Sequence, residues 1–206
     1  HPDLTTLRHF TDMWDKEIAR ARRHQRALTL CSIDVDLCKP VNDRYGHMSV
    51  DNVLRQIASI VRRHVRSDDF AARIGGEEFA VILPSCLASF GRIVAERIRK
   101  AIKELSIVVS PTERIQITTS VGGSFAPIWI RSTPALWVER ADALLYQAKM
   151  EGRDRVFIDV QPEISVSAEE KNMLFGHLTA GAPAWIESMG SDSSKSSAAS
   201  TTNRVN

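Results

Sequence analysis

The chain has 206 residues, of which 43% are hydrophobic and 25% charged, the balance of a soluble globular domain that can bury a core. That length allows one domain of ordinary size and a tail. Lys and Arg number 27 against 25 Asp and Glu, a net charge of +2, too even for a nucleic-acid-binding protein with a dominant basic field. In chain order, helical periodicity runs first from Phe10 to Arg26, with Phe10, Trp14, Ile18 and Ala21 on one stripe. Leu28 to Val35 is apolar and β-branched and reads as a buried strand. A polar loop is expected over Lys39 to His47, then a helix capped by Ser49 that buries Val53, Leu54, Ile57, Ile60 and Val61. Ala71–Ile74 and Glu77–Leu83 flank Gly75-Gly76 and predict a hairpin with a two-residue turn at positive φ. A helix follows from Ser89 to Leu105, with Ile93, Val94, Ile98, Ala101 and Ile102 inward. Ile115 to Ser124 reads as a strand, and Thr133-Pro134 as N-cap and first residue of a helix that carries Leu136, Trp137, Leu144, Leu145 and Ala148 and ends at Gly152. Val156–Ile158 is the last strand.

The alternation predicts an α/β (α+β) fold: a mixed, mostly antiparallel sheet flanked by helices. The domain is expected over residues 1–160, followed by an extension over 161–189 in which Ala168 to Leu178 can form a short helix. A flexible Ser/Thr-rich tail is expected over 190–206. No apolar run reaches the ~20 residues of a membrane helix, and His1-Pro2-Asp3 does not open a signal peptide. The absent initiator Met reads as a piece of a longer chain, whose upstream part could hold a membrane anchor. Cys31, Cys38 and Cys86 are odd in number and lack metal-ligand spacing, which fits a reducing cytoplasm.

Asp34 and Asp36 sit at the end of a buried strand, where ionised carboxylates need a partner. Glu77 and Glu78 follow the glycine pair. Successive strand residues face opposite sides, so one carboxylate from each pair can converge on Mg²⁺, which takes one or two carboxylates plus substrate phosphates. Taken singly, the same residues read as loop caps and solvated hairpin ends. Glycines beside them permit close approach of a ligand. Lys39, Lys149 and Arg153 suit a triphosphate, although the last two, four apart at a helix end, also suit its dipole. Asn42 and Asp51 are an amide and a carboxylate of the kind that reads a guanine edge, or else a loop residue and a first-turn acid.

Ile74-Gly75-Gly76-Glu77-Glu78-Phe79 resembles the signature of GGDEF domains, the diguanylate cyclases, in the GGEEF variant. The likeness extends over about residues 4–158. Asp34, Asp36, Lys39, Asn42-Asp43 and Gly46-His47 match the family's D-x-D-x-x-K-x-x-N-D-x-x-G-H segment. Ser120-Val121-Gly122 is similar to a later strand, and Ala141 to Lys149 with Gly152-Arg153 to its A-D-x-A-L-Y-x-A-K-x-x-G-R helix. The resemblance implies a fold related to nucleotide cyclases and polymerase palms. It implies condensation of two GTP into cyclic di-GMP and two pyrophosphates by a homodimer of facing domains, with Mg²⁺ as cofactor and Mn²⁺ as the alternative. Asp34 and Glu77, with the Val35 carbonyl, become metal ligands, and Glu78 the group that assists deprotonation of the 3′-hydroxyl. Asn42 and Asp51 read guanine, Lys39, Lys149 and Arg153 contact phosphates, and Gly75 and Gly76 lie against the substrate. Asp36 becomes structural support.

Arg66 and Asp69 stand in R-x-x-D spacing five residues before the signature, where the family has its inhibitory product site. Arg97 is the candidate second arginine, from the facing domain. A local Arg–Asp pair is the plainer reading of that spacing. Three departures stand out: a shortened start at Leu4 to Phe10, Val50 where a glycine is usual, and Asp154 for a common Asn, the last expected to matter little. They leave open a catalytically weak receptor or scaffold; a cyclase for cyclic AMP or a mixed dinucleotide is a further alternative. An upstream sensor or regulatory segment is the expected partner.

Overall fold

The computed structural model describes residues 7–126 and 133–159. All belong to a compact unit spanning His1–Gln161. The expectations for the extension, its short helix and the Ser/Thr-rich tail lie outside the described residues. Helix α1 covers Leu7–His24, β1 Leu28–Val35, α2 Cys38–Tyr45 and α3 His47–His64. Strands β2 (Phe70–Arg73) and β3 (Glu78–Pro84) precede α4 (Ala88–Lys103). Two short strands, β4 (Ile107–Val108) and β5 (Arg114–Ile115), lead to β6 (Thr119–Ala126), α5 (Pro134–Met150) and β7 (Val156–Ile158).

The main sheet has the order β2-β3-β1-β6-β7. Three of its pairings are antiparallel and β6–β7 is parallel. Strand β1 lies at its centre, and all eight of its residues are buried. Its alternation sorts two cores. Cys31, Ile33 and Val35 pack with α3 and α4 residues such as Val53, Ile57, Ala95 and Ile98. Leu28 and Leu30 pack on the opposite face with Phe10, Trp14 and Ile18 of α1 and Trp137 and Ala141 of α5. Trp14 Nε1 donates to Pro134 O at 2.9 Å, which ties those two helices together.

Helix α5 approaches the sheet closely because Gly122 has no side chain. A Cβ there would meet Ala141 O and Leu145 N at 2.1 Å, both backbone atoms that cannot move aside. This approach fixes the height of Lys149 above the sheet end.

Several expectations are corrected. The segment after β1 is not a loop: α2 begins at Cys38 and places Pro40 in its first turn, where the missing N–H is not needed. Helix α3 starts at His47 after Gly46; Ser49 does not cap it but donates from Oγ to Tyr45 O and Val109 O. Val50 lies within that helix, half-buried against the core, so no glycine-only backbone is demanded there. The span Ile115–Ser124 is broken into β5 and β6, and Thr118 turns to Asp36 in the gap. Ile93 is 59% exposed, so it does not face inward as expected.

Candidate active site

The signature hairpin has its last rung at Arg73 opposite Phe79. The connection between β2 and β3 is therefore residues 74–77, longer than the two-residue turn expected. Neither Gly75 nor Gly76 has positive φ. The loop closes instead through Ile74 N and Gly75 N, which donate to Glu78 O at 2.9 and 3.3 Å. Arg73 adds a fork, Nε and Nη2 on Gly76 O at 3.1 and 2.6 Å. A Cβ on Gly75 would lie 2.6 Å from Glu78 Oε2, so a side chain there would displace the Glu78 carboxylate.

Asp34, 4% exposed, sits at the end of β1 opposite Glu78 of β3. Val35 N donates to Glu77 O at 3.1 Å, which draws the other glutamate to the same edge. Glu78 is thus the cross-strand backbone neighbour of Asp34, and Glu77 lies within electrostatic reach of it. Burial raises the Asp34 carboxyl above its ordinary range, against the hydrogen bond and charge of Lys149. Burial and then the Asp34 charge raise Glu77 as well. Lys149 Nζ lies 2.8 Å from Asp34 Oδ2, so Asp34 already holds one cation. Burial, with the charges of Glu77 and Asp34, pushes the Cys38 thiol up to about 12, and it hydrogen-bonds Glu77 as a neutral group. Among the described residues no three His, Cys, Asp or Glu side chains converge as a metal cage. Two clustered carboxylates are too few for a protein-only cage, but they fit Mg²⁺, which completes its shell with water and phosphate.

Asp36 faces a different task. It accepts from Thr118 Oγ1 and Ser120 Oγ, both at 2.7 Å, and from Asp154 N at 3.2 Å. Its oxygens are engaged by the fold, in keeping with structural support.

Asn42 lies on α2, and its Oδ1 is buried with no hydrogen-bond partner among the described residues. A buried amide oxygen left unpaired is costly, and a ligand N–H would relieve it. Asp51 is exposed on the first turns of α3, and Lys39 is exposed at the start of α2. Arg153 does not share a helix face with Lys149: α5 has ended, and Arg153 stands at φ 61° in the turn beyond. Its charge is still felt at Asp34. A cleft of about 260 Å³ beside the site is lined by Glu78, Lys149, Tyr146, Asp142 and Ser32, with Ser32 Oγ donating to Asp142 Oδ1 at 2.9 Å. Sequence reading gave no role to Arg73, Cys38 or Asp142. Arg73 adjoins the signature and Asp142 lies in the matched α5 motif, so both were within reach of it.

The R-x-x-D residues lie at the opposite end of the sheet. Asp69 Oδ2 accepts from Arg66 N at 2.7 Å and closes the turn before β2. Arg63, His64, Arg66, Asp69 and Arg97 line a cleft of about 490 Å³ together with Phe90 and Ile93. Arg97 is thus in the same cleft of the same chain as Arg66; its Nη2 donates to His64 O at 2.6 Å.

The family described as "Diguanylate cyclase, GGDEF domain" matches residues 3–155. Diguanylate cyclase A of Treponema denticola is 43% identical over 132 residues, 64% of this chain and 35% of that protein. Response regulator PleD of Caulobacter vibrioides is 36% identical over 154 residues, 74% of this chain and 34% of PleD. The chain therefore spans about a third of the length of these relatives. Among solved structures, the GGDEF domain of DgcB from Caulobacter crescentus, in complex with c-di-GMP, superposes with a TM-score of 0.72 at 35% identity, covering 75% of this chain and 91% of that one. The active GGEEF domain of a Vibrio cholerae diguanylate cyclase gives 0.71 at 30% identity, covering 77% and 99%. With the family matched over residues 3–155, and with the signature, the paired carboxylates and the α5 lysine in one place, the chain belongs to the GGDEF domain family.

Proposed function

We propose that this domain is a diguanylate cyclase that condenses two GTP into cyclic di-GMP with release of two pyrophosphates. The observation that carries the proposal is the clustering of Asp34, Glu77 and Glu78 at one sheet end, with Lys149 on Asp34. Asp34, Glu77 and the Val35 carbonyl would hold Mg²⁺ or Mn²⁺, which would supply charge neutralisation of the triphosphate and acidification of the 3′-hydroxyl. Lys39, Lys149 and Arg153 bind the phosphates. Asn42 Oδ1 accepts from the guanine edge, and Asp51, at the start of α3, is its second reader. Gly75 and Gly76 let the substrate lie against the hairpin backbone.

Glu78 is exposed and assists removal of the 3′-hydroxyl proton. The 3′-oxygen then bonds to the α-phosphorus of the GTP on the facing domain, and the bond to pyrophosphate breaks. The same exchange in the other direction closes the ring. Each domain binds one GTP, so the reaction needs a homodimer with facing sites. Cyclic di-GMP returns as an inhibitor to the cleft of Arg66, Asp69 and Arg97. An upstream regulatory segment that sets dimerisation completes the proposal. Among the described residues no helix is long and apolar enough to cross a membrane; a cytoplasmic setting, where GTP is available, follows from the proposed reaction.

The test is incubation of the domain, dimerised through a fused coiled coil, with GTP and Mg²⁺. Cyclic di-GMP and pyrophosphate in a ratio of one to two are expected. A demonstrably dimeric sample that forms neither overturns the proposal.

A further inference from the structure

The turn that carries Arg153 has unusual backbone. Gly152, Arg153 and Asp154 follow one another at φ 113°, 61° and 47°. Asp tolerates the left-handed region better than most residues, whereas Arg gains nothing there. Consecutive residues held in such conformations persist only where their surroundings fix them.

That support converges on Asp154. Its carboxylate accepts from Arg99 and, at 2.5 Å, from Lys103, both on α4. Arg99 is fixed in turn by Glu96 at 2.9 Å. The side chains of Asp154 and Arg99 are only 23% and 13% exposed, so their pair is not of the loosely screened surface kind. The Asp154 N–H donates to Asp36 Oδ2 at 3.2 Å, and Asp36 is itself held by Thr118 and Ser120. One residue earlier, Arg153 N donates to Ala148 O at 2.9 Å. The turn is thereby fastened to α4, to the end of β1 and to α5, and its one exposed cation stands within electrostatic reach of Asp34.

We propose that Asp154 is a positioning residue: by holding the 152–154 turn to α4 and Asp36, it sets the Arg153 guanidinium toward the polyphosphate of the bound nucleotide. The inference rests on the reading of the site given above. Asp154 itself touches no nucleotide and acts through Arg153. A purely structural Asp154 would weaken the fold without distinguishing a triphosphate from a monophosphate.

The experiment is calorimetric titration of the domain with 3′-deoxy-GTP, which cannot condense, and with GMP, both in Mg²⁺. The proteins are the parent, Asp154→Ala, Arg153→Ala, the double variant and Asp154→Asn. Asp154→Ala is expected to weaken 3′-deoxy-GTP binding about tenfold, as coupled neighbours do, and to leave GMP binding unchanged. In the Arg153→Ala background the same substitution is expected to add nothing. Asp154→Asn, which tolerates the left-handed region and still accepts from Arg99, restores most of the affinity. If Asp154→Ala does not fold, Lys103→Ala removes an exposed partner and shifts the same measurement about twofold in the same direction. Equal losses for both nucleotides, or an undiminished loss in the Arg153→Ala background, overturn the proposal. Amide hydrogen exchange at Arg153 and Asp154 gives an arm that needs no nucleotide: it is expected to quicken in Asp154→Ala or Lys103→Ala and to stay slow in Asp154→Asn. Unchanged exchange overturns the proposal by itself. A parent that binds no nucleotide instead refutes the functional reading, and exchange then decides the positioning role alone.

Discussion

The two ends of the central sheet differ in local charge: a carboxylate surplus immediately around buried Asp34 at one, with Arg73, Lys149 and Arg153 close by, and guanidinium around Asp69 at the other. At the end where β1 finishes and β3 begins, Glu77 and Glu78 lie on the hairpin beside buried Asp34, whose ion-pair partner among the described residues is Lys149. At the other end, where β2 begins and β3 finishes, Arg63, Arg66 and Arg97 line a cleft with Asp69, which is already bonded to the backbone of its own turn and adjoins Asp68. The eight residues of β1 separate these ends by about 24 Å. An end rich in carboxylate repels a polyphosphate unless a cation intervenes, whereas an end rich in guanidinium binds phosphate directly. In the proposed reading the first end takes substrate with Mg²⁺ and the second takes product without it. The sheet keeps the two events apart, so product can inhibit by holding domains in the wrong arrangement, with no change at the metal ligands.

The comparison breaks most sharply at Asp34. Asp34→Ala or Glu77→Ala removes one of the two carboxylates proposed to hold the cation. Cyclic di-GMP formation at saturating Mg²⁺ is expected to fall about a thousandfold, several kcal/mol of transition-state stabilisation. Turnover like that of the parent would show that the carboxylate surplus has no catalytic meaning. At the opposite end, Arg66→Ala is expected to weaken cyclic di-GMP binding roughly tenfold to a hundredfold, since a charged hydrogen bond contributes about 1.5–3 kcal/mol. The initial rate should stay near that of the parent, because Arg66 is a sheet-length from the substrate. Equal inhibition of parent and variant by added product would remove the regulatory role from that end.

How far these ends were legible in the sequence depended on range. Strand β1 was read with its observed limits because it is buried on both faces, and a short unbroken apolar run is the mark of such a strand. The stripe of Phe10, Trp14 and Ile18 was likewise plain, and all three are buried. Helix α2 was missed because Pro40, Asn42, Asp43 and Gly46 look like loop residues; only their placement, with Pro40 in the first turn, makes them compatible with a helix. Strands β4 and β5 have two residues each, too few for any periodicity. The carboxylates were legible as residues, but the ion pair that matches Lys149 to Asp34 spans most of the domain and has no local signature. Asp154 was passed over as a minor exchange for the same reason: its cations sit on α4, some fifty residues earlier.

A smaller effect is expected at the proposed guanine pocket. Asn42→Ala should raise the KM for GTP roughly tenfold and change kcat little, since a buried hydrogen bond contributes about 1 kcal/mol, more when its loss strands a partner. The buried Asn42 oxygen is part of the same unsaturated end, and its removal tests whether that end recognises the base as well as the phosphates. A fall in kcat at unchanged KM would place Asn42 in the chemistry and redraw the pocket.

The smallest effect tests how local the carboxylate surplus is. Asp154 is bonded through its N–H to Asp36, two residues beyond Asp34, yet titrates in the opposite sense to Asp34. Burial alone would raise its carboxyl, but hydrogen bonds and charge from Lys103 and Arg99 outweigh that and hold it below the ordinary carboxylate range. A folded carboxyl that titrates low binds fewer protons than the unfolded one between the two values, so stability there rises with pH. The contribution of Asp154 is complete above the ordinary aspartate value of about 4 and is lost as pH falls through the lower folded value. Asp154→Asn should therefore cost about 1 kcal/mol at neutral pH, allowing for the half-exposed Lys103, and the deficit should vanish in strong acid. Asp34 is raised, so the folded state there keeps its proton longer than the unfolded chain. Stability from that group is lost as pH rises from the ordinary value through the raised one, and Asp34→Asn should gain on the parent across that window. Urea midpoints of the three proteins from pH 3 to pH 8 measure both slopes. Opposite slopes confine the surplus to Asp34 and the signature glutamates; parallel slopes would mean that the whole end is short of cations, Asp154 included.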